Sequence, residues 1–137
     1  MLKSAEPQVS VVVPTYNRAR DLIRCLDSLV KQTYQEFEVL VCDDGSTDAT
    51  PEVMAGWAER EPRIRYVRQP RNLGLAGNVR SGIALAKAEL VAVLYDGDVY
   101  DPRLLEQWVA ALCTYPEAAF VFNAYNQLDA QGRIKAT

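Results

Sequence analysis

Histidine is absent from this sequence. Its absence excludes Ser-His-Asp and Cys-His catalysis, together with every histidine-based zinc site. Cysteine is scarce: Cys25, Cys42 and Cys113 are far apart and form no C-x-x-C pair. That spacing reads as packed thiols in a reducing compartment, not as a disulfide framework, so a cytoplasmic location is expected. No apolar run approaches the ~18 residues of a membrane span, and the N-terminus lacks a signal-peptide pattern. An excess of positive charge is missing too, with 15 basic residues against 18 acidic ones and a net charge of −3. A nucleic-acid partner bound through a broad basic surface is therefore not expected. Neither G-x-x-x-x-G-K-[ST] nor G-x-G-x-x-G occurs, which removes support for P-loop and dinucleotide readings. Any metal must then be held by oxygen ligands, which favours magnesium, manganese or calcium.

What remains is an ordinary globular composition, 49% hydrophobic and 24% charged over 137 residues. The length suits one α/β domain spanning 1–137. Apolar runs alternate with amphipathic stretches along it. Val9 to Val13 is a β-branched run ended by Pro14 and reads as a buried strand. Leu22, Leu26 and Leu29 recur at helical spacing between Ala19 and Lys31. Phe37 to Cys42, Ile64 to Arg68 and Leu90 to Leu94 read as further strands, and Ala118 to Phe122 as a fifth. Helices are expected from Thr50, as cap, to about Arg60, from Gly74 to Lys87, and after an Asp101 cap through Leu104, Leu105, Trp108 and Leu112. Such alternation with short connections predicts a mostly parallel α/β sheet with helices on both faces.

Ligands of open parallel sheets bind beyond the carboxyl ends of the strands. Polar clusters fall there: Thr15-Tyr16-Asn17, Asp43-Asp44, Arg68 to Arg71, and Asp96-Gly97-Asp98. Asp43 and Asp44 suit a turn and helix cap, yet a turn needs only one such residue and adjacent carboxylates resist joint ionisation. One of them can instead accept hydrogen bonds from a base or ribose. Residues two apart on an extended segment project to one side, so Asp96 and Asp98 can face one cation, with Gly97 letting the backbone bend around it. Arg68, Arg71 and Arg80 are candidates for neutralising a phosphate, with surface solvation as the equal alternative. The helix start after Asn72-Leu73-Gly74 can receive an anion, and Tyr16 either stacks on a nucleobase or covers the sheet edge.

The stretches VSVVVPTYNRARDLIRCLDSLVKQTYQEFEVLVCDDGSTDAT and NLGLAGNVRSGIALAKAELVAVLYDGDVYDP, in this order and spacing, resemble family-2 glycosyltransferases of the GT-A fold. The resemblance runs from about Val9 to Val121. It implies a domain that binds a nucleotide-diphospho-sugar donor, with Pro14, Thr15 and Tyr16 against base and ribose. It implies that an acid of the Asp43-Asp44 pair, Asp44 before Asp43, hydrogen-bonds the base. Asp96 and Asp98 would hold Mg2+ or Mn2+ against the diphosphate, and Arg80 joins the donor-binding set. The expected reaction is a metal-assisted, inverting transfer of the sugar to an acceptor, whether saccharide, lipid or protein.

Two departures from the family pattern qualify this. The usual D-x-D-D before x-x-x-P is here Tyr95-Asp96-Gly97-Asp98-Val99-Tyr100-Asp101-Pro102, with the aspartates displaced by one; either metal binding is altered, or, as favoured here, the loop is one residue shorter, with Asp98 the leading ligand and Asp96 the second. The family's acceptor-binding half and its general base lie beyond the fifth strand, and nothing around Asp129 resembles the base motif. The fold is thus expected to be cut at its acceptor-binding part, leaving an apolar patch open to self-association. A larger parent protein would then place the domain at the cytoplasmic membrane face. The alternative is a non-catalytic nucleotide- or metal-binding module.

Overall fold

The computed structural model describes residues 6–135, and its first strand, β1 (Val9–Thr15), is buried at every position. A strand covered on both faces cannot alternate polar and apolar, which is why VSVVV reads as a near-continuous apolar run. The chain continues through α1 (Ala19–Leu29), β2 (Phe37–Asp43), α2 (Thr50–Arg60), β3 (Ile64–Arg68), α3 (Gly74–Leu85), β4 (Leu90–Val93) and α4 (Leu104–Thr114). The strands form one parallel sheet in the order β3-β2-β1-β4.

The two faces are covered unequally. Val9, Val11 and Val13 of β1, with Phe37, Val39 and Val41 of β2, meet the apolar sides of α1, α2 and α4 in the main core. The opposite face, Val12, Leu40 and Cys42, is covered by α3. There the backbones approach closely, because a β-carbon on Gly82 would stand 2.5 Å from Val12 Cγ1 and 2.7 Å from Cys42 Sγ. At the amino ends of the strands, that face also buries a polar knot. Glu38 Oε1 accepts from the Ser10 hydroxyl at 2.7 Å and the Lys87 amide at 2.9 Å, while Arg65 donates to Oε2 at 2.9 Å. The knot fixes the turn that carries the chain from α3 into β4.

Several elements differ from the sequence reading. Pro14 does not end β1; it lies within it, opposite Cys42. Backbone groups alternate sides along a strand, so Pro14 presents its nitrogen where Val12, two residues earlier, offers its carbonyl to the Leu94 amide. The β1–β4 ladder stops at the pair Val12 and Val93, so the donor that proline lacks falls beyond the paired stretch. Ala118 to Phe122 is not a fifth strand: Phe120 and Phe122 are 74% and 80% exposed. No helix follows it among the described residues, and a buried strand needs a layer on each face. The caps shift as well. Thr50 is the first residue of α2, and its amide and hydroxyl both donate to Asp48 Oδ1. Asp101 lies ahead of the α4 start and accepts from the Arg103 amide, while the buried Gln32 accepts from Leu105 at 3.0 Å. Cys25 and Cys42 are buried as expected of packed thiols, but Cys113 is exposed on α4.

Candidate functional site at the carboxyl ends of β1, β2 and β4

From β1 the chain builds outward through β2 to β3, then returns to place β4 on the other side of β1. That reversal opens a crevice beyond the ends of β1 and β4, the general position of ligands in open α/β sheets. Thr15 and Tyr16 lie at one lip, and Tyr95-Asp96-Gly97-Asp98 at the other.

Buried polar atoms in native folds nearly all find partners. Here Thr15 Oγ1 and Asp96 Oδ2 have none, although Asp96 is only 5% exposed. Burial lifts the Asp96 carboxyl above the usual aspartate range, against the opposing pull of the Thr15 hydroxyl beside it and of Arg18. Thr15 is close enough to influence the carboxyl, yet the two atoms are not in hydrogen-bond geometry. Asp98 is exposed, with its side chain unbonded among the described residues. Beneath the loop, burial first and then the charges of Asp96 and Asp98 push the Cys25 thiol up to about 12, so it stays protonated and inert.

The adjacent acids at the end of β2 have separate tasks. Asp43 is fully buried and its carboxylate is consumed internally: Oδ1 accepts the Ser46 amide at 2.8 Å, Oδ2 accepts the Tyr66 hydroxyl, and Arg68 stands 3.8 Å away. Burial, then the bond to Asp43, drives the Tyr66 phenol well above its ordinary range, so it remains the donor. Asp44 Oδ1 accepts the Leu73 amide at 2.6 Å, tying this loop to the entry of α3. No partner occupies its other oxygen among the described residues, and although Asp44 is only 4% exposed, that oxygen is not among the buried unsatisfied atoms and so keeps a narrow opening to solvent. Asn17, in the left-handed region at φ 52°, binds the Thr47 and Asp48 amides through Oδ1 and joins the β1–α1 loop to the β2–α2 loop.

The structure therefore brings Pro14, Thr15, Tyr16, Asp43, Asp44, Asp96 and Asp98 to one end of the sheet. Arg80 is not among them. Asn78 and Gly82 of α3 face the sheet, and a residue midway between them lies on the opposite side of the helix. Arg68 donates to the Ser46 carbonyl at 2.7 Å, and with Gly45, Arg71 and Asn72 it lines a hollow of about 430 Å³ on the β3 side. A larger hollow of about 780 Å³ opens on the β4 side between Asp98, Arg24, Tyr100 and Tyr125. The sequence reading missed Arg18 and Tyr66, and it named Asn17 and Leu73 without foreseeing their bonds to the loop of Asp43 and Asp44. A left-handed asparagine after a strand is a recognisable turn signal, but no local pattern separates Arg18 from a solvated arginine.

Carboxylate oxygens suit a hard divalent cation, and an orphaned buried oxygen beside an exposed second carboxylate fits one. No group of three or more acidic or thiol side chains able to hold a metal occurs among the described residues. A two-carboxylate site of this kind leaves coordination positions for water and phosphate, which is how magnesium is ordinarily bound with nucleotides.

The sheet order and the acid-lined crevice define a Rossmann-like α/β domain of the GT-A kind, and solved structures of that fold superpose on it. A mannosyltransferase from Pyrobaculum calidifontis, solved with GDP-Man and Mn2+, matches 80% of this chain with TM-score 0.73 and 31% identity. TarS 1–349 of S. aureus, solved with UDP-GlcNAc, matches 80% with TM-score 0.74 and 28% identity. The sequence model of the family described as Glycosyl transferase family 2 matches residues 10–136, and the chain belongs to that family. It is 31% identical to the glycosyltransferase GlyG of Streptococcus pneumoniae over 92% of its own length. The chain spans 42% of that relative and about a third of each of the two solved chains (33% and 32%).

Proposed function

We propose that this chain binds the nucleotide-diphospho-sugar donor of a glycosyl transfer and assists departure of the diphosphate. The observation that carries the reading is the pair of orphaned atoms, Thr15 Oγ1 and Asp96 Oδ2, in the crevice of a family-2 chain. Tyr16 is 46% exposed at the β1 lip, available to lie against a base or ribose. The outward oxygen of Asp44 accepts a hydrogen bond from the base, with its other oxygen held by Leu73. Asp43 acts one layer back, fixing Ser46 and Tyr66 so that the loop keeps its shape.

Asp96 and Asp98 hold Mg2+ or Mn2+ in this reading. When bound, the cation supplies positive charge against the diphosphate as it leaves. An acceptor hydroxyl attacks the anomeric carbon, the bond to the diphosphate oxygen breaks, and the configuration inverts. The base that takes the hydroxyl proton is assigned to no residue here. Asp129 is unsuited, because its carboxylate is engaged by Arg133 at 2.8 Å and by two turn amides. The acceptor is a saccharide, lipid or protein. The unpaired thiols support a cytoplasmic setting.

Calorimetry with UDP and GDP, with and without Mn2+, tests the reading. Metal-dependent binding of one nucleotide, weakened at least about tenfold by Asp98→Asn, is expected. Absence of binding to any common nucleoside diphosphate in Mn2+, or an unchanged affinity in Asp98→Asn, overturns it.

A further inference from the structure

Arg18 sits just ahead of α1, and its guanidinium lies across the D-x-D loop. Nε and Nη2 donate to Asp21 Oδ2 at 3.2 and 3.0 Å, and Nε stands 3.8 Å from Asp96 Oδ1. A β-carbon on Gly97 would meet Nη2 at 3.0 Å, so the glycine between the two aspartates leaves the room that this guanidinium occupies. The hydrogen bond to Asp21 and then the charge of Asp96 hold Arg18 more firmly protonated than an ordinary arginine, with Asp98 adding to the effect. A fixed positive charge therefore lies against one oxygen of Asp96, while the other oxygen is buried and unpartnered.

We infer that Arg18 is a resident counter-cation of the D-x-D loop, competing with a divalent cation for Asp96. The inference rests on the proposed metal role of Asp96 and Asp98. In the absence of metal, the guanidinium offsets the cost of keeping a buried carboxylate beside a second acid. When a divalent ion approaches, the same guanidinium repels it and must move off Asp96 toward solvent while it stays bonded to Asp21. Half of the Arg18 side chain is already exposed (52%), and Asp21 remains as its anchor, so this movement requires no change in the sheet. The result is a site that holds a free metal weakly and a metal accompanied by diphosphate well, since phosphate oxygens give the displaced arginine a new partner.

Titrating Mn2+ alone into the protein, followed by electron paramagnetic resonance into the millimolar range, reads the competition directly. Arg18→Gln is expected to bind Mn2+ about fivefold more tightly than the wild type, the low end of ordinary coupling for a half-exposed group. The gain should shrink as salt is raised. Arg18→Lys, which keeps the charge, should stay near the wild type, and Arg20→Gln controls for net charge. In Mg2+, the Arg18 Nε resonance should shift as the guanidinium leaves Asp96. Equal or weaker Mn2+ binding by Arg18→Gln overturns the inference, as does an equal gain in Arg20→Gln. If neither the wild type nor Arg18→Gln binds free Mn2+ while Mn2+-dependent nucleotide binding persists, Arg18 is not a competitor and the proposed function stands. If nucleotide binding fails as well, the proposed function falls and this inference falls with it.

Discussion

Asn17 Oδ1 accepts the Thr47 amide at 2.7 Å, a bond that joins loops 30 residues apart in sequence. The same oxygen takes the Asp48 amide at 3.2 Å, and the Asn17 amide donates to Ser46 Oγ at 2.8 Å. One residue, through its side chain and its amide, thus sets the spacing between the end of β1 and the loop that carries Asp43 and Asp44.

Asn17 also occupies φ 52°, where an alanine is strained by roughly 1–2 kcal/mol. Asn17→Ala should lower unfolding free energy in urea by about 2 kcal/mol, summing strain and lost bonds. Asn17→Gly should recover the strain but not the loop contacts. Both variants should weaken nucleotide binding in calorimetry, and Asn17→Gly should do so despite its better stability. Full affinity in Asn17→Gly would show that the link between the loops does not shape the site.

At Gly82 the backbone of α3 comes close to the sheet, with 2.5 Å between an added β-carbon and Val12 Cγ1. Val12 and Cys42 are both fully buried, so neither can swing into solvent. Gly82→Ala should cost about 1–3 kcal/mol through overpacking and lower Tm by roughly 5–10 °C. Adding Val12→Ala opens space for the new methyl, so the double variant should be more stable than the sum of the singles predicts. Simple additivity in thermal unfolding would mean that α3 moves off the sheet instead.

Glu38 links stability to pH. Burial alone would raise its pKa, but the Lys87 amide, Ser10 hydroxyl and Arg65 guanidinium outweigh burial and hold it below the usual glutamate range. A carboxyl with a depressed folded pKa contributes stability that is complete above its unfolded value, about 4.3, and is lost as pH falls through the folded value. Glu38→Gln should therefore cost about 1–2 kcal/mol at pH 7. In acid, below the folded pKa, urea unfolding should show the two proteins converging. A gap that persists there would assign the effect to shape rather than charge.

Much of this architecture is legible locally, because strand and helix patterns depend on near neighbours. Leu22, Leu26 and Leu29 announce the buried side of α1, and all three are fully buried there or nearly so. The D-x-D loop is legible for the same reason, as an abrupt change from LVAVL to acid. Pro14 misleads because its tolerance depends on where β4 stops, a fact held 80 residues away in the Val12–Val93 pairing (about that separation by the β1–β4 register). The segment Ala118 to Phe122 misleads because a strand-like composition does not supply the layer that would bury it. The division of labour between Asp43 and Asp44 depends on Tyr66 and Leu73, partners that adjacency in sequence does not reveal.

That division yields a paired prediction. Asp43 is wholly enclosed, so Asp43→Asn removes its charge and the acceptor that Tyr66 and Arg68 face, putting an amide donor in its place. The cost should be about 3 kcal/mol in urea unfolding, since it breaks a buried charged network. Asp44→Asn is milder structurally, because an amide oxygen can still receive Leu73. Its amino group then faces outward in place of an acceptor, and a base N–H meets a donor. Asp44→Asn should accordingly keep Tm close to the wild type while weakening nucleotide affinity by about tenfold or more. The opposite pattern, with Asp44→Asn unstable and Asp43→Asn impaired only in binding, would reassign the base-reading acid to Asp43.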